Sequence, residues 1–492
     1  MKYDVIIIGS GLGGLECAHF LSRAGMHVLV LERGKQAGGC MQSYKRHGLY
    51  YDTGFHYIGG LKEGQSLHAT FKHLGLLDLP WQRLDDEFDR ITIGEKSYSF
   101  TQGYDAFVKT LLRDFPSERK GLKKYVNLLK HYEEKQFDML NPHIQETAVY
   151  STLFETGAWN YLVKTIQDPL LIDVLSGTCL KMELRKESLP LFSFVHGNSS
   201  FIESSWRLKG DSSLIVNSLI KDISSFGGKV ICNAEVIELT EVNGVLKYAQ
   251  CSNGERYEGK LFISNAHPLV TCHLIRQTNN LRKRFCNRIY QLENTNGMLT
   301  VSLRIKQQAL EYFNWNQYIY QQPGIWTSFQ EEGSIDRVLV SCKTPKEGNK
   351  YVEQIDLLTP MAWKKCEPWF HTQIGQRGEA YQQMKERMAD ECIALAEQFI
   401  PGLHQMVMER YNSTPLTYRD YTLTPDGSAY GIRKDFNSPM TTILSPLTPI
   451  SNLYMTGQNL MLHGIHGVTM TALFTCAELL GKDYIWNIIK NE

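Results

Sequence analysis

Eleven cysteines stand in 492 residues, and no two are spaced as a Cys-x-x-Cys pair. Neither a thiolate metal cage nor a redox dithiol is read from them; packed thiols in a reducing setting are expected, and no metal. No uninterrupted apolar run approaches the roughly 18 residues that a membrane-spanning helix needs. An excess of charge is also missing: 52 Lys and Arg balance 52 Asp and Glu at a formal net charge of +0, which removes nucleic acid or an acidic surface as an expected partner. There is no Gly-x-Ser-x-Gly elbow, no zincin helix and no P-loop, so three common hydrolytic and phosphate chemistries are excluded at the motif level. Internal repeats and low-complexity linkers are absent. Met1 to Asp4 runs straight into an apolar stretch without room for a signal sequence, and a cytoplasmic location is expected.

What is present begins at once. Asp4-Val5-Ile6-Ile7-Ile8 reads as a strand, Gly9-Ser10-Gly11-Leu12-Gly13-Gly14 as a turn into a helix over Leu15 to Arg23, and Leu29-Val30-Leu31-Glu32 as a second strand. This is a dinucleotide-binding βαβ unit: Gly9 permits the tight turn, Gly11 lets backbone approach a pyrophosphate, Gly14 lets helix lie on sheet, and Glu32 binds ribose hydroxyls. The helix N-terminus faces the phosphates.

The residues that follow turn the expectation to FAD. Arg33, Gly38-Gly39 and the run Tyr51-Asp52-Thr53-Gly54-Phe55-His56 resemble the FAD-binding region of the amine oxidase and phytoene desaturase superfamily, with Cys40 beside the glycine pair as a further cofactor-contacting position. Asn452 to Asn459, with Gly457 and Gln458, followed by Gly464-Ile465-His466-Gly467-Val468, resembles its C-terminal flavin motif, where a helix N-terminus stabilises charge on the reduced ring. Within the superfamily, the runs Tyr51 to Gly59, Arg377 to Tyr381, Thr414 to Thr417, Gly427 to Gly431 and Asn452 to Gln458 resemble the phytoene desaturase, carotenoid isomerase and retinol saturase branch. The resemblance implies an FAD oxidoreductase that saturates, forms or isomerises a carbon–carbon double bond of a hydrophobic polyene or isoprenoid lipid. It also implies that Val236 pairs its backbone with the adenine and that the strand carrying Asn265 returns to the flavin. His56 is the titratable candidate beside the ring, as proton donor or as a backbone hydrogen-bonding residue at a strand end. Two departures stand out: Cys40 replaces a common arginine, and Leu208-Lys209-Gly210-Asp211 replaces the usual double glycine.

The implied fold class is α/β, a Rossmann-like FAD-binding domain of the amine-oxidase type (residues 1–75, 205–275 and 415–492) interleaved with an α+β substrate domain (residues 76–204 and 276–414). A helical stretch with a solvated basic side is predicted over Tyr104 to Glu134, and another helix over Arg377 to Gln398. Asn253-Gly254 reads as a hairpin turn. Alternation in Met298 to Leu303 reads as antiparallel sheet. The cluster Tyr312, Phe313, Trp315, Tyr318, Tyr320, Trp326 and Phe329 is expected mainly as core, with some rings lining an apolar cavity. His463 and His466 are expected as helix-capping residues and Tyr430 as packed. Only one nucleotide fingerprint is visible, so a net reductase would draw electrons from NAD(P)H as external donor or from a carrier protein. Peripheral membrane contact is compatible with a lipid substrate. An amine oxidase, or a prenyl-lipid carrier on the same fold, is the alternative.

Overall fold

The computed structural model describes residues 2–144, 148–275, 283–326 and 333–491; Phe329 lies outside them. Strand β1 (Lys2–Ile8) is apolar from Val5 onwards, where it is covered on both faces, and β2 (Val28–Leu31) lies parallel to it. Helix α1 (Leu12–Arg23) connects the two. It begins three residues before the predicted start, directly after Gly11. Gly9 turns the chain at φ +92°, and a Cβ on Gly14 would sit 2.3 Å from the Gly9 carbonyl oxygen. Glycine at 14 therefore allows α1 to start inside the turn.

Around β1 a seven-stranded sheet forms in the order Lys229–Ile231, β2, β1, Arg256–Ser264, Val245–Cys251, Val236–Val242, with Leu453–Met455 also paired to Arg256–Ser264. The strands nearest β1 are parallel, whereas Val236–Val242, Val245–Cys251 and Arg256–Ser264 form an antiparallel meander. Its two turns are Asn253-Gly254, as read from the sequence, and Asn243-Gly244, which the sequence reading passed over; Asn243 and Gly244 both take positive φ, 54° and 87°, the pattern that suits a two-residue hairpin.

The second seven-stranded sheet runs Val407–Ser413, Gly297–Ile305, Gln354–Met361, Arg337–Cys342, Asn316–Tyr320, Glu87–Ile93, Lys96–Thr101. All neighbours are antiparallel except Asn316–Tyr320 with Glu87–Ile93, where the chain pairs with a strand laid down 227 residues earlier. Period-two alternation gives the sheet two different faces. Leu299, Val301, Leu303, Val340 and Leu357 pack under the helix Gly378–Ala396 through Met388, Cys392 and Leu395. Met298, Leu339 and Leu358 point the other way, towards the main cavity.

Over that second face lie helices Tyr104–Asp114 and Arg119–Lys135, split at Phe115-Pro116 where one continuous stretch was predicted; proline removes a donor and restricts the residue before it. The aromatic cluster is core. Phe313, Tyr318, Tyr320 and Trp326 are buried, Tyr312 and Trp315 pack beside them, and none of the six described rings lines the main cavity. The expectation that some would is corrected: the rings pack in the core, and two of them are tied inward, Tyr320 to the Gly177 carbonyl and Trp326 to Ser176.

Candidate active site

A cavity of about 390 Å³ runs from the glycine turn of α1 to the floor of the second sheet, a volume typical of a ligand site. At its first end, a Cβ on Gly13 would lie 3.1 Å from each of Asn265 Oδ1, the Gly457 Cα and Val468 Cγ1. Three segments far apart in sequence thus close around one glycine. Gly457 follows Leu453–Met455, which lies parallel to the strand ending at Ser264, and Val468 sits in the first turns of the helix Gly464–Leu480. Asn265 also donates its side-chain amide to the Gly9 carbonyl at 3.5 Å.

Glu32 is 8% exposed. Its carboxylate accepts the Ser10 amide at 3.0 Å, the Ser10 hydroxyl at 2.6 Å and the Gly34 amide at 2.7 Å. Three neutral donors hold the negative charge at the edge of the cavity, with further lone pairs open to hydroxyls. Gly9, Gly11, Gly13, Glu32, Arg33, Gly38, Gly39, Cys40, Gly54, His56, Val236, Asn265, Gly457, Gln458 and Val468 all line this cavity. Gly14, Thr53 and Gly467 stand one layer behind. Gly14 seats α1 on the turn, and the Thr53 hydroxyl donates to the Cys40 and Gln42 carbonyls. A Cβ on Gly467 would strike Leu462 at 2.5 Å. Burial pushes the Cys40 thiol up to about 11, so it remains a neutral SH. The second departure also has a local reason: the Asp211 carboxylate accepts the Ser43 hydroxyl at 2.6 Å and the Ser213 amide at 3.0 Å, closing the turn that leads into the helix Ser213–Ser225.

His56 lies between two pieces of the wall, 4.0 Å through Nδ1 from Asp356 Oδ2. Burial brings its imidazole down to about 3, with Lys343 and Arg207 adding to the cost of another positive charge. Asp356 is pushed the other way by burial, to about 6, against the pull of the Ser302 hydroxyl and Lys343. His56 is therefore neutral at ordinary pH and offers a neutral N–H, not an imidazolium.

The C-terminal histidines do not cap through their side chains. His463 Nε2 is 2.8 Å from the Lys181 carbonyl, so that nitrogen carries the proton. His466 is 7% exposed, lines the cavity, and neither ring nitrogen has a hydrogen-bond partner among the described residues. It lies against His196 with ring centroids 4.6 Å apart, and His196 Nδ1 is 2.7 Å from the Tyr132 hydroxyl. Orphaned buried nitrogens are costly without a ligand. Tyr430 is packed as expected, donating to the Leu180 carbonyl at 2.7 Å, and it also lines the cavity.

The sequence reading missed one whole wall: Leu180, Lys181 and Met182, and Ser193, His196, Gly197, Ser200 and Phe201 of the helix Leu191–Glu203. The polar run His196 to Ser200 inside that apolar helix was the available signal. Among the described residues no cluster of His, Cys, Asp and Glu has the arrangement of a metal site, and no helix is long and apolar enough to cross a membrane.

Comparison with known proteins follows this geometry. Residues 7–74 match the family model of an NAD(P)-binding Rossmann-like domain. The human all-trans-retinol 13,14-reductase is 26% identical, with 100% of this chain and 87% of that protein covered. A chloroplastic prolycopene isomerase of Daucus carota is 24% identical over 93% of this chain and 76% of that protein. This chain is a relative of both. The branch read from its motifs is the one these relatives represent. A putrescine oxidase solved with putrescine bound superposes with a TM-score of 0.66 at 15% identity, covering 98% of this chain and 99% of that one. The fold is therefore the α/β architecture of that oxidase, with a Rossmann-like domain at its start.

Proposed function

We propose that this chain is an FAD-dependent oxidoreductase acting on a carbon–carbon double bond of a hydrophobic conjugated polyene. The observation that carries the reading is the single cavity joining the dinucleotide end, at Glu32 and the Gly13 cradle, to an apolar end floored by Met298, Leu339 and Leu358. Glycines without side-chain bulk, a carboxylate at the ribose position and the unpartnered His466 fit a flavin dinucleotide. Glu32 and Val236 would hold the adenosine end, Gly11 with Gly38 and Gly39 the phosphates, and Gly457, Gln458 and Val468 the ring end. Bound flavin supplies hydride chemistry at its ring. The chain's own part is to hold the reacting carbons in a dry apolar slot, which gives position and excludes water.

Retinol reductases and prolycopene isomerases among the relatives support a retinoid or carotenoid as the substrate class. With one nucleotide fingerprint, a net reduction draws electrons from NAD(P)H visiting the same flavin or from a carrier protein. A lipid substrate also brings the chain to a membrane face, and Met440, 87% exposed, and Tyr421, 59% exposed, are apolar groups available for such contact.

The test is product analysis after anaerobic incubation of reduced, FAD-reconstituted protein with retinoids and carotenoids. Gain of two hydrogens identifies saturation, and a geometric isomer of unchanged mass identifies isomerisation; oxidised protein giving loss of two hydrogens identifies desaturation. Unchanged polyenes together with hydrogen peroxide from simple amines would overturn the proposal.

A further inference from the structure

One lysine lines the cavity among its described residues, and it is held by an arrangement that no cofactor motif accounts for. Lys181 ends the short helix Cys179–Lys181. Its Nζ donates to the Tyr57 hydroxyl at 3.0 Å and lies 3.6 Å over the Phe201 ring. Tyr57 in turn donates to Asp89 Oδ2 at 2.8 Å and meets the Tyr318 hydroxyl at 2.7 Å. Asp89 is fully buried and its other oxygen accepts the Asn316 amide at 2.9 Å. Behind the lysine, its own carbonyl accepts from His463 and the neighbouring Leu180 carbonyl accepts from Tyr430. The turn is thereby pinned to the start of the C-terminal helix.

We propose that Lys181 is the proton-transferring catalytic residue of this site, with Tyr57 and Asp89 positioning its amine. The inference rests on the double-bond reading above. Saturation breaks the π bond: one carbon receives a hydride, with its electron pair, from two-electron-reduced flavin, and the other receives a proton from the Lys181 ammonium. The N–H bond breaks, a C–H bond forms, the flavin is oxidised, and the neutral amine regains its proton from solvent after product leaves. Desaturation runs the same steps backwards, with the amine as base.

The other candidates along the wall are less suited. His56, His463 and His466 are all brought down to between about 3 and about 4 by burial. Lys434 lies outside the cavity lining and donates instead to the Thr442, Asn459 and Leu460 carbonyls. Lys181 itself is brought by burial to about 8, against the attraction of Asp89 and Cys179, so both of its forms are accessible near neutral pH. The titratable groups facing it are Tyr57, Asp89, Tyr318, Cys179 and His463.

The experiment compares reduced holoenzyme of the parent, Lys181→Met and Lys181→Arg in anaerobic single turnover with a reactive polyene across pH 6 to 10. The parent rate is expected to fall above about pH 8, and both variants to be at least ~100-fold slower. Polyene binding, read from the shift of its absorption band, and flavin reoxidation by oxygen are expected to stay within threefold. In the apoprotein, reductive methylation of Lys181 read by mass spectrometry is expected to be blocked by the polyene. A variant that keeps the parent rate and pH profile, or methylation indifferent to polyene, overturns the role of Lys181 alone. A parent protein that neither saturates, desaturates nor isomerises any polyene overturns the double-bond reading and this inference with it.

Discussion

The Thr469 hydroxyl donates to Glu16 Oε1 at 2.7 Å, joining α1 to the helix Gly464–Leu480 across 453 residues of sequence. The two helices that begin at the two ends of the cofactor cradle are thus fastened to each other by a carboxyl with no exposed surface, whose second oxygen has no partner among the described residues.

That burial raises the Glu16 carboxyl from 4.5 to about 8. The folded protein therefore retains a proton that the unfolded chain loses. The stability tied to this site is fully present below about pH 4.5 and is lost as pH rises through about 8, a change on the order of 4 kcal/mol. Glu16→Gln is expected to remove that dependence: the variant is more stable than the parent at pH 8 and no more stable at pH 4.5. Thermal midpoints of the two proteins measured across this range test it, and parallel curves would contradict the buried-carboxyl account.

Gly14→Ala places a Cβ 2.3 Å from the Gly9 carbonyl oxygen. Backbone must move, so a destabilisation of about 1–3 kcal/mol is expected, together with failure to retain flavin on gel filtration. Denaturant unfolding of the apoprotein and the visible spectrum of the reconstituted variant give the two readouts separately.

Glu32→Ala removes the acceptor held by Ser10 and Gly34. If its remaining lone pairs take ribose hydroxyls, FAD affinity falls on the order of 100-fold. Flavin titration by fluorescence quenching measures this; an unchanged dissociation constant would move the nucleotide site elsewhere.

His466→Leu separates binding from folding. The leucine removes two orphaned nitrogens from a buried position, so the apoprotein is expected to gain on the order of 1 kcal/mol while FAD binding weakens about tenfold. Loss of apoprotein stability with unchanged FAD affinity would make His466 a packing residue.

His56→Gln is expected to leave the pH profile of flavin reoxidation unchanged between pH 5 and pH 9, because the imidazole is neutral throughout that range. If a limb of the parent profile disappears in this variant, His56 is the titrating group. Unchanged reoxidation by a bound polyene in His56→Ala would remove His56 from the mechanism.

How much of this was legible in the chain follows from how local each feature is. The turn Gly9 to Gly14 and the strand pair around it are written in adjacent residues, and the C-terminal glycine motif is nearly as compact. Both read correctly as strand, turn and helix, apart from the start of α1. Their meeting around Gly13 was implied only by resemblance, since nothing in Asn265, Gly457 or Val468 taken singly announces a neighbour. Lys181 was invisible for the same reason. A lysine at the end of a single short helical turn is ordinary until Tyr57, Asp89 and Phe201 arrive from three other segments. The aromatic residues between Tyr312 and Trp326 are core, as mainly expected; only the part of the reading that put some rings at the cavity fails, because hydrogen bonds to Gly177 and Ser176 draw Tyr320 and Trp326 inward. Pro116 gave a local signal for the helix break, and the sequence reading did not use it.

The most direct measurement is the anaerobic visible spectrum of FAD-reconstituted protein, reduced with dithionite and then mixed with one retinoid or carotenoid at a time. Return of the oxidised flavin bands with one polyene, and not with saturated lipid of the same length, is the result expected of a double-bond oxidoreductase. Reduced flavin that no polyene reoxidises, in protein that oxidises simple amines, would contradict it.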